Sequence, residues 1–270
     1  MEQVSKNLRL ICLETKSDLL GFSANVHQLF NDCFHRSLDS KLWEWAYLKN
    51  PYGSPIVALA FDKDELVGHY ALIPITLANM VNETVNAYLS MTTMIKRSYL
   101  RLDLFRSLAE ITYEVAFRKN KSPIVYGYPN NKSAPGFSKR LAWKVNLNLS
   151  IYGTDTKYLS NDADFQLLLA DAESFTIDLR DENALKWRSN KPNSIWIEHE
   201  GAFFKTYNQT YDLMYILNRN LFMRECKLRF NILGSKQGSC QSTSYIVGQK
   251  QYNNNSQIKL FHQMAMSDVF

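Results

Sequence analysis

The stretch that decides the fold runs from residue 84 to residue 128: TVNAYLSMTTMI (84–95), KRSYLRL (96–102), DLFRSLAEITYEVAFR (103–118), KNKS (119–122) and PIVYGY (123–128). In the first part Val85, Ala87, Leu89 and Met91 alternate with other residues, the period of a strand. In the third, Leu104, Leu108, Ile111 and Val115 recur at helical spacing, and Phe105 and Ala116 widen the apolar face. The last is a short buried strand around Ile124, Val125 and Tyr126, stopped by Pro129-Asn130-Asn131. A basic loop, Lys96 to Leu102, joins strand to helix. The helix is therefore a crossover between two strands of one sheet.

Upstream, Leu19, Leu20, Phe22, Val26, Leu29 and Phe30 predict a helix over 18–31. A second is predicted over 38–48, with Asp39 as N-cap and Asn50-Pro51 as the stop. Pro55 to Asp62 and Leu66 to Pro74 read as a hairpin turning at Asp62-Lys63-Asp64-Glu65. Downstream, a short helix over 134–141 leads to a strand over 144–152. The predicted order for residues 1–152 is α-α-β-β-β-α-β-α-β, a mixed sheet of α/β (α+β) class.

Composition sets the limits. Apolar residues make up 46% and charged residues 21% of the 270, close to the globular average, which excludes disorder, collagen and coiled coil. Ten glycines are scarce for this length, about half the usual share of about 7%. A glycine-rich phosphate loop is thus disfavoured. A net charge of +5 tolerates an anionic ligand but is too weak and dispersed for nucleic acid. Cys12, Cys33, Cys226 and Cys240 show no metal spacing and read as reduced thiols, so no metal site is expected. Met1 to Glu14 has no apolar h-region, and no run approaches 18 apolar residues, so a soluble cytoplasmic protein is expected.

A weak repeat is visible. Asp39, Trp43, Trp45 and Asn50-Pro51 are echoed by Asp181, Trp187-Arg188 and Asn190-Lys191-Pro192. A hairpin-like stretch follows each, Ile56 to Leu72 and Ile195 to Tyr207. Next come Tyr211 to Leu217, a helix near Leu221 to Glu225 and a strand over 227–233. Two readings stand: tandem copies of one fold with the second reduced, or one domain with a β-rich extension. The first divides the chain into 1–153 and 154–270.

An ordered set of residues carries a family resemblance: Trp43-Glu44-Trp45 with Asn50-Pro51-Tyr52-Gly53, Leu66-Val67-Gly68-His69-Tyr70-Ala71-Leu72-Ile73-Pro74, Met94-Ile95 with Tyr99, and Tyr126-Gly127-Tyr128-Pro129-Asn130-Asn131 followed by Ser133, Phe137, Lys139, Leu141 and Trp143-Lys144. Over residues 28–145 the chain resembles the GNAT superfamily of CoA-dependent N-acyltransferases. The ending Met266-Ser267-Asp268-Val269-Phe270 resembles a tandem-GNAT branch that includes nucleotide-sugar N-acyltransferases. The resemblance implies a mixed central sheet of GNAT type, with pantetheine between the strands flanking the main helix and pyrophosphate on the amides that open it. By position, the residues for coenzyme A (as acetyl-CoA or a longer acyl-CoA) are Thr93, Met94, Ile95, Arg101, Leu102, Asp103, Leu104, Phe105, Asn130, Asn131, Ser133 and Phe137. The family's motif glycines are absent from Leu100 to Phe105, and Asp103 stands at the helix start. There it is either an N-cap or a neighbour of the phosphates, with Lys96, Arg97 and Arg101 supplying positive charge.

Acyl transfer needs a proton acceptor for the amine, a donor to the oxyanion and a proton for the leaving thiolate. His69 is a candidate base because imidazole titrates near neutrality, and a solvent-facing or carbonyl-bonded strand histidine is the alternative. The resemblance places Tyr128 and Asn130 near the leaving sulfur, Tyr128 as acid or as packing. His27, His35, His199 and His262 show no catalytic spacing. Tyr47, Tyr52, Tyr70 and Tyr88 are candidates to stack on a base or sugar, and Arg188 and Lys205 to reach a diphosphate. The implied function is transfer of an acyl group to the amine of a dTDP- or UDP-linked amino sugar for surface polysaccharide. The competing readings are a Fem-type aminoacyl-tRNA-dependent transferase and a non-catalytic GNAT-fold module. No membrane partner is expected, and monomer and homodimer both stay open.

Overall fold

The computed structural model describes residues 8–100, 103–159, 173–235, 242–252 and 258–267. In chain order it shows β1 (Arg9–Leu13), α1 (Lys16–Gly21), α2 (Ser23–Phe34), α3 (Ser40–Tyr47), β2 (Ile56–Asp62), β3 (Glu65–Ala78), β4 (Thr84–Ile95), α4 (Leu104–Lys119), β5 (Ile124–Gly127), α5 (Ala134–Leu141) and β6 (Lys144–Thr154). There follow α6 (Thr156–Leu159), β7 (Ser174–Ile177), α7 (Glu182–Ser189), β8 (Ile195–His199), β9 (Ala202–Tyr207), β10 (Thr210–Ile216), α8 (Arg219–Glu225), β11 (Phe230–Ser235), β12 (Ser242–Gln251), β13 (Lys259–Leu260) and α9 (Met264–Ser267). The predicted mixed α/β class and the order from α2 to β6 hold.

The strands form one sheet whose main path is β1-β2-β3-β4-β5-β12-β6-β11-β10-β9-β8. β4 and β5 run parallel, as a crossover helix requires. β12 comes late in the sequence yet lies between β5 and β6, antiparallel to both. In the second half β10 and β11 are again parallel, with α8 between them in sequence.

One face of the first five strands is covered by α4 and α5. Leu104, Leu108, Ala109, Tyr113 and Ala116 pack on Ala58, Val67, Leu72 and Val125. Gly68 allows this approach, since a Cβ there would meet Leu108 at 2.9 Å and Leu104 at 3.0 Å. The opposite face is covered by α2 and α3, whose Val26, Leu29, Phe30, Trp43 and Tyr47 join Val57, Leu59, Ala71, Leu89 and Tyr126. The second half closes its own core around Phe204, Phe222 and Phe230.

Several elements differ from the prediction. The helix expected over 18–31 is two, α1 and α2, broken at Phe22. β3 runs past Pro74 to Ala78. β1 went unseen because its charged flanks mask a short apolar run that pairs Leu13 with Val57. β12 went unseen because its sequence, STSYIVGQKQ, is too polar to read as an interior strand. The reduced-thiol reading agrees with free Cys12, Cys33 and Cys226, while Cys240 and the terminal Asp268-Val269-Phe270 lie outside the described residues. Among the described residues, no helix is long and apolar enough to cross a membrane.

The two stretches read as a repeat meet each other. Asp39 caps α3 through Lys41 N and Leu42 N, with φ −66° and ψ 118°. Asp181 caps α7 through Asn183 N and Ala184 N, with φ −69° and ψ 118°. Trp45 Nε1 donates to Trp187 O at 2.5 Å and Trp187 Nε1 donates to Trp45 O at 2.9 Å, with the rings stacked at 5.2 Å. Both indoles are buried. Trp187→Ala removes the stacked ring and the bond its Nε1 donates to Trp45 O, and it leaves the Trp187 carbonyl that Trp45 uses, so stability should fall by about 3–5 kcal/mol. Urea unfolding checks this, with the loss read from the transition midpoint.

Candidate active site

The β4–β5 ladder starts at Ala87↔Ile124 and stops at Ser90↔Gly127. Gly127 makes the last pairing close: a Cβ there would stand 3.0 Å from Ser90 O. Beyond it β4 stays on β3, pairing Met91 with Ala71, Met94 with His69 and Ile95 with Gly68. The side of Met91–Ile95 that faces β5 thus leaves the ladder, and the two strands form a fork. At the fork Thr92 adopts φ 51° in a bulge of β4, a conformation β-branched residues resist.

The bulge has a support. His69 is fully buried and its Nδ1 donates to Thr92 O at 2.8 Å. Burial pushes the imidazole down to about 4, so the ring is neutral at pH 7 and the carbonyl fixes its proton on Nδ1. Behind the fork, Ser90 Oγ donates to Tyr70 Oη at 2.8 Å, Tyr70 and Tyr113 share a bond of 2.8 Å, and Trp143 Nε1 donates to Tyr113 at 3.0 Å. Burial pushes both phenols up, which keeps this network neutral.

On the α4 and α5 side the fork opens into a groove of about 650 Å³. It brings together Thr93, Met94, Ile95, Phe105, Asn130 and Ser133 of the residues expected at coenzyme A. Lys132, Lys139 and Arg140 also line it. Their one signal in the sequence is the basic run Lys139-Arg140. Lys96 is committed elsewhere, 2.5 Å from Asp32 and also paired with Glu65. Asn130 Oδ1 accepts from Lys132 N and Ser133 N, both at 3.0 Å, which ties the loop after β5 to α5.

The absent motif glycines have a structural explanation. Asp103 has φ 52°, the left-handed region that glycine favours and Asp tolerates. Its side chain makes no capping bond, and its carboxylate lies 3.7 Å from Arg140 instead. The first backbone bonds of α4 are Arg106 N and Ser107 N to Asp103 O. The amides of Leu104 and Phe105 therefore precede the helical ladder and are uncapped by that carboxylate, as an anion site requires. Where the motif has its second glycine, Phe105 packs on Phe137 at 5.1 Å. Gly136 gives the ring room, since a Cβ there would come within 3.3 Å of it. An open groove, helix-opening amides that the Asp103 side chain leaves uncapped and three cations fit a coenzyme with a pyrophosphate.

Other expected residues are placed differently. Arg101 and Leu102 lie outside the described residues. Leu104 and Phe137 are core, and Asn131 is exposed outside the groove lining. His69 supports the bulge from below the sheet surface. Tyr70 belongs to the buried network and Tyr88 to the α4-side core. Tyr47 is buried on the other face. Arg188 is 1% exposed, its guanidinium 5.4 Å from both the Trp45 and Trp187 rings. Lys205 lies 3.4 Å from Asp212. Burial and pairing keep Tyr70, Tyr88, Arg188 and Lys205 from converging on the groove.

A second cavity, about 460 Å³, has Lys144, Asn146, Gln249, Lys259 and His262 among its lining residues. Gln249 pairs with Tyr126, which packs on the α2 and α3 side, so this cavity lies on the face away from α4. It reaches the fork through His262, whose Nδ1 is 3.1 Å from Tyr128 Oη. Tyr128 follows the last residue of β5 and is half-buried. No signal in the sequence linked Tyr128 to a histidine 134 positions away.

Comparison with known proteins agrees with this geometry. Residues 21–145 match the family model of the acetyltransferase (GNAT) domain. A GCN5-related N-acetyltransferase from Kribbella flavida is similar in structure, with a TM-score of 0.58 at 10% identity, over 92% of this chain and 72% of its own. A conserved protein of unknown function from Enterococcus faecalis V583 gives 0.58 at 10%, over 89% and 72%. A GCN5-related N-acetyltransferase from Anabaena variabilis gives 0.54 at 11%, over 88% and 72%. No curated protein matches the sequence. At these identities the solved structures establish the fold, which extends well beyond the matched domain.

Replacing Asp103 by Gly relieves the positive φ, removes a carboxylate beside the open amides and frees Arg140. Coenzyme A should then bind about 2- to 10-fold more tightly at low salt, at most about 1.4 kcal/mol. Calorimetric titration measures it. Weaker binding by the folded variant would show that Asp103 itself contacts the coenzyme.

Proposed function

We propose that this chain, whose residues 21–145 carry a GNAT acetyltransferase domain and with it the chemistry of CoA-dependent N-acyl transfer, acylates the amino group of a nucleotide-diphosphate-linked amino sugar. The observation that carries the transfer reading is the β4–β5 fork, continuous with a groove that ends at uncapped helix amides and three cations. Backbone of Thr93 to Ile95 holds the pantetheine amides, while the amides of Leu104 and Phe105, with Lys132, Lys139 and Arg140, take the pyrophosphate. Backbone amides at the Thr92 bulge, braced by His69, face the thioester carbonyl and stabilise its developing oxyanion. His69, neutral and enclosed, acts here as the brace and not as the base.

The acceptor enters from the opposite face. Lys144 and Lys259 in the second cavity support an anionic acceptor such as a sugar diphosphate. The amine nitrogen attacks the carbonyl carbon, the C–N bond forms and the C–S bond breaks. Water carries away the proton lost by nitrogen, and Tyr128 protonates the sulfur.

The division into 1–153 and 154–270 as two GNAT-like units is part of the same proposal. The matching Asp39 and Asp181 caps and the reciprocal Trp45–Trp187 bonds support it. The product class, an N-acylated sugar for surface polysaccharide, places the enzyme in the cytoplasm, where acyl-CoA and nucleotide sugars are made.

Incubation with acetyl-CoA or longer acyl-CoAs and dTDP- or UDP-linked amino sugars should release free thiol only when both substrates are present. Coenzyme A alone, at about 100 times its Kd, should add about 2.7 kcal/mol of stability in a thermal melt. A stabilised protein that releases no thiol with any amino sugar would reject the acceptor class and keep the coenzyme site.

A further inference from the structure

We propose that His262, supplied by the C-terminal segment, is a positioning residue for acyl transfer: it donates from Nδ1 to Tyr128 Oη and so turns the phenolic hydrogen toward the leaving sulfur. The assignment rests on the acyl-transfer reading above and adds to it a residue that lies far outside the matched domain.

Three observations carry it. First, Tyr128 stands at the mouth of the fork, one residue beyond the Ser90↔Gly127 pair that ends the ladder. Second, its oxygen is 3.1 Å from His262 Nδ1, with the two rings nearly perpendicular at 86° and 5.7 Å apart. Third, the histidine is held on both sides. Phe261 N donates to Phe175 O at 2.9 Å, and Gln263 Nε2 donates to Thr176 Oγ1 at 2.8 Å, both on β7. Ile258 is fastened to β12 by Gln251, which accepts from Ile258 N at 3.0 Å and donates to Ile258 O at 2.6 Å. Histidine 262 is thus a fixed part of the fork's far wall.

The direction of the bond is set by the tautomer of the ring, and the proposal assigns the hydrogen to Nδ1. Burial pushes His262 down to about 4, so at pH 7 it is neutral and has one N–H to give. Placed on Nδ1, that hydrogen occupies a lone pair of Tyr128 and leaves the phenol O–H free to donate. When the C–S bond breaks, its electron pair goes to sulfur and the phenolic proton follows, giving coenzyme A thiol and a phenolate. Burial pushes the Tyr128 phenol well up, and the Arg188 cation acts in the opposite sense, on the side of the phenolate. The His262 N–H then stabilises that phenolate until water returns the proton. The net change is amine plus thioester to amide plus thiol.

The test has two arms on the full chain. In the first, ¹⁵N-histidine NMR at pH 7, with the His262 signal assigned from His262→Asn, should show a neutral Nδ1–H tautomer that shifts in Tyr128→Phe. An Nε2–H tautomer or an imidazolium would overturn the proposal, whether or not any substrate is turned over. In the second, kcat of His262→Ala should fall about 10- to 100-fold, a part of the about 10²- to 10⁴-fold that general acids supply, with KM for acyl-CoA within about threefold. His262→Asn, whose amide N–H can replace Nδ1–H, should recover most of kcat. An unchanged kcat in the alanine variant, or an asparagine variant no better than alanine, would overturn it. If the wild type releases no thiol with any amino sugar, the acceptor class fails, and the NMR arm still decides the pair.

Discussion

Everything in the site depends on a ladder that stops. β4 and β5 share four pairs and then part, because β4 follows β3 past Ser90 while the chain after Gly127 turns into Tyr128-Pro129-Asn130. Parting two parallel strands exposes backbone groups that a sheet would satisfy, so the fork must be over-determined by its surroundings. Three elements do this. Gly127 permits the tight last pair, the Ser90–Tyr70–Tyr113–Trp143 network pins the apex from the α4 side, and His69 braces the bulge at Thr92. The groove, the helix amides and the far cavity are all placed relative to that apex.

The fold was legible where periodicity is strong. The strand–loop–helix–strand from 84 to 128 is in place to within a residue at most boundaries, because Leu104, Leu108, Ile111 and Val115 admit no other period. β12 was illegible for the opposite reason. Its residues alternate weakly, and its partners, β5 and β6, lie about a hundred positions upstream, so only the closed sheet explains why a polar run becomes an interior strand. Pairing over such separations leaves no local trace.

A groove beside the fork was legible through resemblance, and the two absent motif glycines have local substitutes. Asp103 takes the left-handed backbone conformation, and Gly136 vacates the space that Phe105 fills. The face away from α4 was less legible. The charge of Arg188 suggests a diphosphate ligand, yet its burial against Trp45 and Trp187 makes it part of the joint between α3 and α7. His262 has no catalytic spacing in the sequence, and three-dimensional proximity to Tyr128 is what distinguishes it. A spacing rule detects groups on one element, whereas this pair joins the end of β5 to a segment beyond β12.

The placement of β12 also bears on how the molecule is made. Chains emerge from the ribosome in order, and early segments fold when their partners are available. Here β5 and β6 are synthesised long before the strand that fills the space between them. Until residues 242–251 arrive, both strands present unpaired edges, the surfaces most prone to adventitious pairing. The nascent first half therefore carries two open edges through the making of some ninety further residues, and the sheet around the fork is closed only when the strand over 242–251 follows.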